Sequence, residues 1–160
     1  MVTSWRHSIT LRLSLAFALL ATLVFAALGV YLGRSADAHM AELDAHELLG
    51  KLVLVRNVGA RESSPAALAA RLGDALVGEH GVIVAVDGEK GAIFRWPADG
   101  PASLATATRG VGETPVRLAL GGRDFRIVAD TIETGWGETV RVVVARDIRH
   151  HTDFLDELQR

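Results

Sequence analysis

A chain of 160 residues without a single cysteine has no disulfide staple, no thiolate nucleophile and no thiolate metal ligand. Its net charge of -2, with no run of Lys or Arg, excludes the clustered cations that phosphate binding requires, and with them a nucleic-acid partner. The 49% hydrophobic content is high for a water-soluble domain, but the excess is concentrated in one segment near the N-terminus.

That segment, Leu13 to Leu32, carries no charged residue. At ~1.5 Å per residue it spans roughly 30 Å, the thickness of a bilayer's hydrocarbon core, and it exceeds the roughly 7 to 15 apolar residues of a signal peptide. Ala36-Asp37-Ala38 resembles a cleavage site and keeps removal of the segment as an alternative. Arg6, Arg12 and His7 precede the span, whereas Arg34 after it is soon followed by Asp37, Glu42 and Asp44, so positive-inside bias places the N-terminus in the cytoplasm. The expected organisation is a cytoplasmic N-terminus over 1–12, a transmembrane helix over 13–32 in a bacterial inner membrane, and a periplasmic domain over 35–160. Roughly 125 residues suffice for one domain with its own core.

From Ser35 to Val58 the only helix breaker is Gly50, and Leu43, Leu49, Leu52 and Val53 recur near helical spacing, so a helix is predicted to leave the membrane directly. A second helix is capped by Ser64, has Pro65 in its first turn, carries a stripe of Leu68, Leu72 and Leu76, and stops at Gly78. The period then changes. Gly81 to Val86 and Ala92 to Trp96 are β-branched and aromatic runs around a DGEKG turn; Val116 to Leu120 and Arg123 to Asp130 flank Gly121-Gly122; Thr139 to Ala145 supplies a fifth strand. Pro97 to Thr114, rich in Ala, Gly, Thr and Pro, reads as a loop. A final helix is expected from Asp147, with Ile148, His151, Leu155 and Leu158 on one face. Helices on an antiparallel or mixed sheet of about five strands make an α+β layer fold, compatible with PAS-like sensors that lie outside bacterial membranes.

Three stretches carry a resemblance to a known family. SITLRLSLAFALLATLVFAALGVYLGRS (Ser8 to Ser35), HMAELDAHELLGKLVLVRNV (His39 to Val58) and VRVVVARDIRHHTDFLDELQR (Val140 to Arg160) resemble the first membrane span, the juxtamembrane helix and the strand-then-helix ending of heavy-metal sensor histidine kinases, the two-component proteins that control copper, silver, cobalt, zinc and cadmium efflux. The resemblance implies further parts that these residues do not contain: a second span, a HAMP linker, a dimerisation helix pair and an ATP-binding kinase domain that phosphorylates a response regulator. No glycine-rich nucleotide box is present, and Gly121-Gly122 is accounted for by its hairpin, so no catalytic residue is assigned.

The candidate metal ligands are His39, Glu42, Asp44, His46, His150 and His151. At about 100° per residue, His39, Glu42 and His46 share one helix face, and neighbouring pairs among them can chelate one ion. His39 and Asp44 diverge by about 140° round the helix. The resemblance makes them a ligand pair, because zinc-responding members have a similar His-x4-Asp, and a second copy of the helix would then complete a tetrahedral site. The plainer reading is a set of solvated polar positions. For His151, on the apolar stripe of the last helix, it is a packed histidine, and for His150 a surface one; the resemblance makes the pair ligands or supports near the membrane. His80 reads as structural. Met40 alone is a poor supply of soft ligands for copper(I) or silver, so imidazole and carboxylate favour zinc, with cadmium, cobalt and copper(II) open. The expected function is metal sensing at a juxtamembrane homodimer interface. The alternatives are a small organic ligand held by the sheet under 97–114, or a ligand-free anchored interaction module.

Overall fold

The computed structural model describes residues 9–101 and 103–148. The chain divides into two compact units, one up to Glu42 and the other from Leu43 onward. The first helix, α1, runs Ile9–Gly59. In the first unit its large apolar side chains, Leu13, Phe17, Leu20, Phe25 and Tyr31 among them, are exposed. This stretch is long and apolar enough to cross a membrane.

In the second unit, α1 buries Asp44, Leu48, Leu52, Val55 and Gly59, spaced by three or four residues so that they form one face. The second helix, α2 (Pro65–Ala75), is punctuated as its sequence predicts: Ser64 Oγ accepts the Ala67 N–H at 3.2 Å, Pro65 sits in the first turn, and Leu68 and Leu72 are buried. Then come β1 (Val82–Gly88) and β2 (Gly91–Trp96), the short α3 (Ser103–Ala107), and β3 (Val116–Leu120), β4 (Arg123–Glu133) and β5 (Thr139–Asp147). The five strands form one antiparallel sheet in the order β2-β1-β5-β4-β3. Gly121 and Gly122 adopt φ of 58° and 75°, the left-handed pair that a two-residue hairpin turn needs.

Strand alternation assigns the core. Val84, Val128, Val142 and Val144 point to the face covered by α1 and α2. Ala85, Phe125, Ile127, Val143 and Ala145 point to the other. The fold is therefore α+β, as expected, with a difference over 97–114. That segment contains α3, whose Leu104 is 1% exposed and packs on the second face. Arg141 fastens the segment by donating to the carbonyls of Thr108 and Val111, and Ala129 N donates to Gly112 O at 2.9 Å. A five-residue helix anchored by one leucine has no period long enough to read from sequence. At the other end, β5 runs two residues beyond Ala145 and takes in Asp147; Ile148 is buried, and its N–H bonds Asp124 O at 2.9 Å. The final helix predicted from Asp147 therefore does not begin there, because Asp147 is held in β5; the rest of it, residues 149–160 with His150 and His151, lies outside the described residues.

The β4–β5 turn joins two other parts of the domain. Gly135 N donates to Gly59 O at 2.9 Å, tying the turn to the end of α1. Glu138 accepts from the Trp136 indole N–H at 2.9 Å and from Glu89 N at 2.8 Å, tying it to the β1–β2 turn. The Trp136 and Glu89 hydrogen bonds, with Lys90 nearby, hold the Glu138 carboxyl below its ordinary value.

Two predictions follow from this junction. A Cβ at residue 135 would lie 2.5 Å from Glu62 O and 2.9 Å from Ala60 O, both backbone atoms; Gly135→Ala is expected to destabilise the domain by about 1–3 kcal/mol in urea denaturation, and an unchanged midpoint would refute the junction. Because the Glu138 pKa is lowered on folding, its stabilisation is present above the unfolded value, near 4.5, and is lost as pH falls through the folded one. Melting curves of Glu138→Gln and the parent should differ at neutral pH and converge on acidification; a constant offset would exclude this linkage.

Candidate functional site

The second unit presents two different faces of α1. Toward the sheet it turns the stripe that begins with Asp44; away from it, Leu43, His46, Gly50, Val53 and Asn57 are all exposed. Those outward positions are spaced three and four residues apart, the spacing of a helix seam.

Asp44 is 6% exposed, unusual for an aspartate, and its surroundings supply the reason. Arg126 on β4 and Arg146 on β5 are cross-strand partners, and they share the sheet face that α1 covers. Two like charges opposite each other repel unless an anion lies between them. Asp44 supplies it: Arg126 Nη1 donates to Oδ2 at 2.6 Å, and Arg146 Nε lies 3.6 Å from Oδ1. Glu47, one turn further along α1, pairs with Arg146 as well. Two carboxylates of the helix thus face two guanidinium groups of the sheet at one end of the β4–β5 pair. Farther along, Arg56 binds Asp130 of β4 and Glu113 of the segment before β3, and its guanidinium is held above its ordinary value by the Asp130 hydrogen bond first and the Glu113 bond second.

The candidate ligands fall on both units. His39 and Glu42, in the first, are exposed. In the second, His46 is exposed about 200° round the helix from buried Asp44. Asp44 has both carboxylate oxygens turned to arginine. Among the described residues no three His, Asp or Glu side chains are grouped as a metal ion needs, and the His150–His151 pair lies outside them. His80 is exposed ahead of β1, and Trp96 and Trp136 pack against the core beneath α1 and α2. A shallow surface concavity between α2 and the β1–β2 turn is lined by Ala66, Ala69, Lys90, Ile93, Trp136 and Glu138; Glu138 there is already committed to Trp136 and Glu89.

The sequence reading missed Arg126, Arg146 and Glu47. A signal for the arginines existed: each interrupts a β-branched or aromatic run at a position that alternation assigns to a covered face, and a half-buried arginine there calls for a carboxylate partner.

Known proteins give one further finding. The family model described as the CusS sensor domain matches residues 6–155, which is nearly the whole chain. No match was found among curated proteins or among solved structures. The match takes in α1, α2, α3 and all five strands. The chain belongs to the CusS sensor domain family, the membrane-anchored, periplasmic metal-sensing region of heavy-metal sensor histidine kinases of the copper and silver type.

Proposed function

We propose that this chain senses a transition metal through exposed histidines of its juxtamembrane helix, as a homodimer in the bacterial inner membrane, and biases an attached kinase and its response regulator. The family match carries the reading. His39, Glu42 and His46 recur at i, i+3 and i+7, and all three are exposed. Too few ligands gather within one chain's described residues for a closed site, so a second copy of α1, with His150 and His151 as further candidates, completes the set. The outward stripe of Leu43, His46, Gly50, Val53 and Asn57 supports pairing between copies. Nothing would meet a Cβ at Gly50 within 4 Å, so that position leaves room for a close helix approach.

Imidazole and carboxylate donors favour zinc, with cadmium, cobalt and copper(II) as weaker fits. The family's association with copper and silver supports a second reading, in which half-exposed Met40 beside His39 adds a thioether for a soft monovalent ion. Either metal signals only if it binds one arrangement of the two helices better than the other.

The test is calorimetric titration of the chain in nanodiscs with zinc and, separately, with silver. Zinc should bind the parent, and the double substitution His39→Ala with His46→Ala should weaken binding at least about tenfold, roughly 1.4 kcal/mol. Sedimentation should show a larger fraction of dimer with metal than without. Silver binding that disappears in Met40→Ala, with no zinc uptake, establishes the second reading. Unchanged zinc binding and dimerisation in the double variant would refute the histidine site.

A further inference from the structure

We infer that Asp44 is a positioning residue rather than a metal ligand: with Glu47, Arg126 and Arg146 it forms a charge clamp that ties the juxtamembrane helix to the outgoing end of β5. This rests on the sensing role proposed above but concerns a different face of the same helix. Asp44 begins the stripe that continues through Leu48, Leu52 and Val55, so its direction is set by the packing of the whole helix on the sheet. Its side chain is 8% exposed, with Oδ2 at 2.6 Å from Arg126 Nη1 and Oδ1 facing Arg146 Nε at 3.6 Å. A divalent ion on that carboxylate would have to enter beside two guanidinium groups and displace at least one. The exposed imidazole of His46 points the opposite way round the helix.

The clamp's location gives it a role in transmission. Arg146 is the second-last residue of β5, and Ile148, just beyond that strand, is pinned to Asp124 O at 2.9 Å. Residues 149–160 continue from this point in the chain. Asp44 and Glu47 lie near the start of the part of α1 that belongs to this domain. The four charges therefore join the start of the domain's part of α1 to the C-terminal end of β5, the last described strand. A shift of α1 carries the end of β5 with it while the clamp is closed, and slips past it when the clamp is open. The grip also accounts for two arginines being tolerated side by side on a covered sheet face.

The natural chain has no cysteine, so it can be spin-labelled at two introduced sites without background. Leu43→Cys and Arg123→Cys place labels at exposed positions on α1 and at the start of β4, near the clamp. Measurements use nanodiscs, with labelled protein diluted in unlabelled protein to suppress distances between copies. The parent should give one narrow distance population. Asp44→Asn should broaden it at least about twofold or split it, while zinc affinity stays within about threefold. The charge exchange Asp44→Arg with Arg126→Asp, which keeps two positive and two negative groups in the clamp, should restore the narrow population. Thermal melts run alongside establish that each sample is folded at the measuring temperature.

An unchanged distance population in Asp44→Asn, or a loss of zinc affinity of tenfold or more in that variant, would overturn the assignment. If Asp44→Asn does not fold, the charge exchange decides: recovery of fold and distance supports the clamp, and failure to recover refutes it. Absence of zinc binding by the parent would count against the proposed sensing function alone, because the distance measurements still decide the clamp.

Discussion

Two arginines stand opposite each other on a covered face of the sheet, Arg126 on β4 and Arg146 on β5, and the helix above supplies the charges that make this possible. An arrangement of this kind adds little net stability compared with an apolar substitute, because four charged groups lose water when they come together. What it adds is register. An apolar stripe such as Leu48, Leu52 and Val55 can slide against valines with modest loss, whereas a carboxylate displaced from between two guanidinium groups leaves those groups repelling each other. The apolar contacts hold α1 to the sheet, and the charges determine where along it.

The remaining polar contacts extend the same principle. Arg56 with Asp130 and Glu113 grips the helix further on, and Gly59 O receives Gly135 N at its end. The domain's part of α1 is thus tied to β4, β5 and their connecting turn at three heights. The opposite face is closed differently, by a short segment that buries Leu104 and Thr108 and whose backbone carbonyls are held by Arg141. That cover is held by a few side chains and backbone hydrogen bonds, where the helix side has an extended apolar stripe.

How much of this could be read from sequence varied with the range of the interaction responsible. The second helix was legible because its signals are local: a capping serine, a proline beside it, and leucines four apart. The hairpins were legible for the same reason, with Gly121-Gly122 fixing one turn within two residues. The apolar span and the helix leaving it were plain from composition and period. α3 was not, since one buried leucine in five residues is indistinguishable from a loop with a chance leucine. The clamp was least legible. Its partners lie 82 and 99 residues apart in the chain, and the clue was an arginine at a buried alternation position, which matters only once the strand order is known. Of the candidate ligands on α1, His39, Glu42 and His46 are exposed, while Asp44, attached to them by resemblance, faces the sheet.

A sensor must convert occupancy of a site into movement of something else, and the proposed reading divides the two tasks between the faces of α1. The His46 imidazole lies on the exposed side, whereas the Asp44 and Glu47 carboxylates pair with arginines near the end of β5 on the side facing the sheet. On the proposed reading, a ligand on the outer face acts on the sheet through an inner face whose charges resist slipping. With an apolar inner face alone, part of the free-energy difference between helix arrangements would be lost in sliding before it reached β5. On that reading, charges that add little to stability are the ones on which transmission depends, which gives a physical reason for setting buried Asp44 and half-covered Glu47, Arg126 and Arg146 between the helix and the end of β5.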